Sequence, residues 1–175
     1  MKRKALLGLS LIAAFGNPRI SVAQEAVKNA IVTFYSHGSR MTSGLPGTKS
    51  VFWGKIFDDK KLLFSFREGF IHKNNLVISL ALPPGTHTFF ASYATMPTHA
   101  GKLSLILEPG KTYFVRAEST SEGVVVVEFE KGRLDQVPCD TARKETQSAE
   151  LLSSKKVSPQ MSANVIPMTL PITCP

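Results

Sequence analysis

Leu82-Pro83-Pro84-Gly85-Thr86-His87 and Glu108-Pro109-Gly110-Lys111-Thr112-Tyr113-Phe114-Val115-Arg116 carry the same turn chemistry, each Pro-Gly pair leading into a run of strand formers. Proline at the second turn position presets φ near about −65°, and the glycine after it takes the positive φ that a type II turn demands. On either side the apolar residues alternate as in a half-buried strand, because successive side chains point to opposite faces of a sheet. Leu76, Ile78, Leu80 and Leu82 share a face before the first turn, and His87, Phe89, Ala91 and Tyr93 share one after it. A loop at 94–101 leads to Leu103, Leu105 and Leu107. Past the second turn Tyr113, Val115 and Ala117 point one way while Phe114, Arg116 and Glu118 point the other. A four-stranded meander is the simplest connection.

Outward from this centre the strand pattern continues. Residues 30–36 read as a strand apolar on both faces, hence covered on both sides. Residues 37–49, rich in Gly, Ser, Thr and Pro, read as a surface loop. Residues 51–57 and 62–66 form a hairpin with Asp58-Asp59-Lys60 at its tip, since Asp tolerates turn geometry. Phe52, Trp53, Phe57, Phe64 and Phe66 concentrate there and are read first as core. A surface cluster stacking a sugar or peptide is the alternative, with Trp53 as its contact. The valine-rich run at 124–130 has strong β character. About eight short strands with Gly/Pro turns and no βα alternation predict an all-β, immunoglobulin/transthyretin-like antiparallel β-sandwich.

From Cys139 the composition shifts. Asp140 is placed to cap a short helix from Thr141 to about Ser154, with Ala142, Ala149 and Leu152 as its apolar candidates. Residues 157–175 are polar and proline-containing, and Pro167 and Pro171 confine any strand there to a sheet edge. A flexible tail docked at its end is expected. The domain reading is therefore a signal peptide at 1–23, a sandwich at 24–138 and a C-terminal extension at 139–175.

The signal peptide rests on Lys2, Arg3 and Lys4 before an apolar run at 5–15, and on Ser21-Val22-Ala23 as a cleavage site before Gln24. The run is far shorter than the roughly 20 residues that span a bilayer, and no cysteine follows it to accept a lipid. A periplasmic or secreted protein without an integral membrane segment after cleavage is the expectation. Cleavage removes four of the 21 basic residues, leaving 17 against 13 acidic ones, so the formal net charge falls from +8 to about +4. The remaining cations are scattered, with no basic stripe interleaved with aromatics, which disfavours nucleic acid as a partner.

Cys139 and Cys174 are the only two cysteines, and export to an oxidising compartment predicts a disulfide between them. The loop of about 36 residues so closed is worth roughly 3.5–4 kcal/mol in the chain-entropy account. Intermolecular pairing is the alternative. His37, His72, His87 and His99 have no metal-ligand spacing, and His87 is expected to pack beside Phe89. Ser39, in His37-Gly38-Ser39-Arg40, lacks the second glycine of a nucleophile elbow. Glu128 and Glu130 read as a solvated pair. No cofactor, metal or catalytic residue is assigned.

The two opening stretches, with their Pro-Pro-Gly-x-His and Gly-Lys-Thr-Tyr-x-Val-Arg patterns, resemble the signature of a bacterial exported domain family of unknown function. The resemblance implies a small β-sandwich of about one hundred residues and an exported address. It transfers no site. The chain departs from that family in lacking a lipid-attachment cysteine and in its Asp58-Asp59-Lys60 hairpin tip.

The functional reading is a non-enzymatic exported module that binds an envelope protein or a cell-wall or surface polysaccharide. The loops at 37–49 and 94–101 are its expected face, with Tyr93, Met96 and His99 as contacts. The alternative is a small exported hydrolase acting on envelope material, with histidines and carboxylates brought together only by folding.

Overall fold

A computed structural model describes residues 28–40, 49–51, 54–66, 75–92, 101–120 and 131–174. They fold into two sheets. The larger contains β1 (Ala30–Arg40), β2 (Lys49–Val51), β5 (Leu76–Leu82), β8 (Thr112–Thr120), β9 (Lys131–Val137), β10 (Glu150–Leu151) and β11 (Val165–Ile166). Its order is β10-β5-β1-β8-β9, with β11 also on β5 and β2 on β1. The smaller holds β3 (Lys55–Asp58), β4 (Lys61–Ser65), β6 (Gly85–Ser92) and β7 (Gly101–Leu107), in the order β4-β3-β6-β7. The expected all-β sandwich is what forms.

The alternation read from sequence decides which faces meet. Leu76, Ile78, Leu80 and Leu82 of β5 enter the core between the sheets with Val32 and Phe34 of β1 and Val115 and Ala117 of β8. Phe89 and Ala91 of β6 and Leu105 and Leu107 of β7 come from the facing sheet. Phe34 bridges the layers, its ring centroid 5.4 Å from Phe64 and 5.1 Å from Phe89 in edge-to-face contacts. Each such pair adds about 0.5–1.5 kcal/mol beyond area burial. β1 is covered on both sides, as its two apolar faces require: Tyr35 on its outer face is as buried as Phe34 on its inner one. Val77, Phe114, Ala142 and Ile172 surround Tyr35 in a second cluster.

The meander does not form. β5 and β8 both flank β1, and only β6 and β7 pair as sequential neighbours of the central stretch. The second turn is the expected one, with Gly110 at φ +69° and Lys111 N donating to Glu108 O at 3.2 Å. At the first, Gly85 sits at φ +136° and the chain crosses to the other sheet. β5 has no free edge for β6, because β1 holds one side and β10 and β11 hold the other.

Nor are the sheets purely antiparallel. β1 and β8 run parallel with Tyr35 opposite Arg116 and His37 opposite Glu118, as do β10 and β5. Residues 37–40, expected in a loop, continue β1, and Lys49 closes that region by pairing with Arg40. The 58–60 hairpin is present, with Asp59 at φ 51°. The run at 124–130 lies outside the described residues. The strand pairing with β8 is 131–137, whose charged sequence has a single large apolar residue turned inward, Leu134.

The helix, α1, spans Cys139–Glu145 rather than 141–154. Pro138, not Asp140, occupies the N-cap. Asp140 lies in the first turn, where an acid complements the helix dipole, and pairs with Arg143 at 2.8 Å. The helix stops because Thr146 turns back on it, its Oγ1 donating to Ala142 O at 2.7 Å.

The segment after α1 is laid against the body along its length, not only at its end. Glu150 N donates to Asn75 O and Leu152 N to Val77 O, both at 2.8 Å; β11 pairs with Ser79 and Leu80; Asn164 Nδ2 donates to Ala81 O at 2.7 Å. The outer carbonyls of β5 are thus satisfied by a composite edge strand. The same segment reaches the smaller sheet, where Ser158 N donates to Leu63 O at 2.9 Å and Val157 bridges Phe64. Leu152, Val157 and Met161 plug the core between the two edges. On the opposite side β7 and β9 approach so closely that a Cβ on Gly101 would lie 1.9 Å from Gly132 O. The sandwich is closed on both flanks.

Candidate functional site

Among the described residues, a connected group of polar side chains lies on the outer face of the larger sheet. Its rows follow from the register: Tyr35 and His37 on β1, Arg116 and Glu118 on β8, Arg133 and Asp135 on β9. Alternation turns them all away from the core, and Glu145 at the end of α1 completes the set.

Tyr35 OH donates to Glu145 Oε2 at 2.5 Å, and Arg116 Nη1 donates to Glu145 Oε1 at 3.0 Å. Arg116 Nη2 donates to Asp135 Oδ2 at 3.3 Å. Its Nε lies 3.1 Å from Glu118 Oε1, an ion pair without hydrogen-bond alignment. Arg133 Nε closes the row on Asp135 at 3.0 Å. Asn75 Nδ2 donates to the Glu145 carbonyl at 2.9 Å, fixing the helix end. His37 Nδ1 stands 4.0 Å from Glu145 Oε2, buried and without a hydrogen-bond partner among the described residues, on a side chain that is 30% exposed.

The electrostatics follow from burial and these partners. Burial first, then the hydrogen bond and charge of Glu145, push the Tyr35 phenol far above its ordinary range, so it stays a donor. Burial pulls the Arg116 guanidinium down, but the Glu118 charge, the Asp135 hydrogen bond and Glu145 outweigh it and hold it above its usual value. Arg116 is therefore a permanent cation paired with three carboxylates. Tyr35 is locked neutral and unfit as a nucleophile. His37 differs in that its buried Nδ1 has no hydrogen-bond partner among the described residues.

A second histidine meets a carboxylate on the smaller sheet. His87 Nδ1 lies 2.7 Å from Asp58 Oδ2, its Nε2 lies 2.9 Å from Pro83 O, and its ring stacks on Phe89 at 5.8 Å. The stacking on Phe89 is as expected. Both nitrogens are engaged, so the residue ties the hairpin tip to the 83–86 corner and offers nothing to a substrate.

Cys139 and Cys174 are joined, with Cα atoms 5.7 Å apart. Trp53, His72, Tyr93, Met96 and His99 lie outside the described residues, as does Glu128-Phe129-Glu130. Ser39 lies on β1 opposite Ser50 of β2, two residues beyond His37. Among the described residues no three His, Cys, Asp or Glu side chains are grouped to hold a metal, and no helix is long and apolar enough to cross a membrane. The Tyr35–Glu145–Arg116–Asp135 network had one signal in the sequence, the placing of Arg116 and Glu118 on one strand face. Its other members come from distant segments. No protein-family model, curated protein or solved structure matches the chain.

Proposed function

We propose that the chain is a non-catalytic exported β-sandwich of the bacterial envelope that binds an envelope protein or polysaccharide. The observation that supports this is the mutual neutralisation of its chemistry-bearing groups: Arg116 faces three carboxylates, Tyr35 is held by Glu145, and both nitrogens of His87 are used. Such a body is a scaffold, and recognition on scaffolds is carried by connections. The segment at 94–101, with Tyr93, Met96 and His99 as contacts, is the face we assign, and Trp53 is a further candidate. The Cys139–Cys174 bond supports an oxidising compartment, and hence export through a leader cut between Ala23 and Gln24. The test is crosslinking capture from envelope extract with residues 24–175, which include every described residue, against the same chain lacking Met96 to His99. A partner held by the intact form alone supports the reading; equal capture by both forms removes the assigned face.

One observation favours the alternative, a small exported hydrolase acting on envelope material. His37 stands within a small shift of a hydrogen bond to Glu145, which would orient its ring as a general base. Hydrolysis of envelope polymers by the intact chain and not by His37→Ala would establish it.

A further inference from the structure

We propose that the segment from Gln147 to Cys174 is an exchangeable strap, and that the surface beneath it accepts the same strap from a second copy of the chain once the Cys139–Cys174 bond is opened. The proposal is independent of the partner-binding reading and rests on the strap's contacts alone.

Everything that holds the strap belongs to the body. Its backbone and the Asn164 amide bond the edge of β5, Ser158 bonds the edge of β4, and Leu152, Val157 and Met161 fill the gap between the sheets. A second copy presents the same groove, so an exchanged strap makes the same contacts, and identical elements traded between protomers are a low-cost route to dimers. The ladder being traded is short. β10 and β11 are two residues each, and at Ala81 a side-chain amide stands where a backbone donor would serve a continuous strand.

The disulfide decides whether exchange is possible. The strap leaves the body at Thr146, and Cys174 at its far end is bonded to Cys139, just before that exit. With the bond closed both ends are tied to one body and the strap cannot reach another. Reduction leaves a single tether. The step is thiol–disulfide exchange: a dithiol thiolate attacks one sulfur, the mixed disulfide is resolved by the second thiol, and the products are two cysteine thiols and the oxidised dithiol. Reoxidation by oxidised glutathione, which leaves as two reduced molecules, re-forms the bond. In an exchanged pair it joins Cys139 of one copy to Cys174 of the other. A tethered strap has an effective concentration of about millimolar, so exchange competes only at comparable chain concentration.

The test uses residues 24–175 as an equal mixture of isotope-light and isotope-heavy chains. The mixture is reduced with dithiothreitol, unfolded in urea, refolded at about millimolar and at about micromolar concentration, and reoxidised with oxidised glutathione; these levels bracket the tether's effective concentration. The expected result at the higher concentration is a covalent dimer whose Cys139–Cys174 linking peptides pair light with heavy in about half of cases. The chain unfolded in urea and refolded without dithiothreitol, its Cys139–Cys174 bond kept closed throughout, stays monomeric. The double variant Cys139→Ser, Cys174→Ser should form a non-covalent dimer by light scattering at the higher concentration. Linking peptides of a single isotope at every concentration, or a variant that refolds only as monomer, would overturn the proposal. So would a reduced chain that regains no β structure, since exchange requires the strap to dock without its bond.

Discussion

Tyr35 on the first strand donates its phenol proton at 2.5 Å to Glu145, 110 residues away at the end of α1. The contact fastens the helix to the outer face of the sheet, and Arg116 shares the same carboxylate from β8. Tyr35→Phe keeps the ring in its cluster and removes only the hydrogen bond. It should lower stability by about 1.5–3 kcal/mol, the range for a hydrogen bond to a charged group. Urea unfolding would show this as a lower midpoint at unchanged slope.

The same residue sets an alkaline limit. An unfolded tyrosine loses its proton near pH 10, whereas folded Tyr35 is held well above that. A raised folded value means that the contribution is fully present below about pH 10 and is lost as pH rises beyond it. Stability measured from pH 8 upward should therefore fall above about pH 10 in the wild type, and more gently in Tyr35→Phe. Equal slopes would show that Tyr35 does not carry the effect.

Gly101 faces the carbonyl of Gly132 where β7 meets β9, leaving no room for a methyl group. Both partners are backbone. Gly101→Ala must push the strands apart and should cost about 1–3 kcal/mol, the usual range for overpacking. Thermal unfolding would register it, with Gly85→Ala as the informative comparison. At Gly85 the space is open and only the positive φ opposes a side chain.

Met161 is 2% exposed although it lies in the C-terminal segment. Met161→Ala should cost about 2–5 kcal/mol, as for truncation of any core side chain, while Pro159→Ala on the turn beside it should be nearly silent. Equal effects would show that the strap is not part of the core.

Local chemistry carries the fold a long way. The alternation of Leu76, Ile78, Leu80 and Leu82, the Pro109-Gly110 turn and the Asp59 hairpin all stand where side-chain period and turn geometry put them. Strand order does not follow, because it is a choice among distant partners. Nothing local in Ala30–Arg40 says that it pairs parallel with Thr112–Thr120. The edge strand Lys131–Val137 escapes a reading by pattern because it turns a single large apolar side chain inward. The strap reads as a tail because a two-residue strand has no period to detect. The polar network is half visible, Arg116 and Glu118 sharing a face in the sequence, while Glu145 and Asp135 reach them only through the packing of α1 and β9.

We take the polar network as scaffolding and propose that partner binding is carried by the segment at 94–101. The most direct measurement is a side-by-side determination of partner capture and thermal midpoint for wild type, His37→Ala and the Met96 to His99 deletion. The deletion is predicted to lose capture while keeping its midpoint within a few degrees, about the shift of a sub-kcal/mol surface change. His37→Ala is predicted to capture as wild type does. Capture lost in His37→Ala and retained in the deletion would contradict this and place function at the Tyr35–Glu145–Arg116 face.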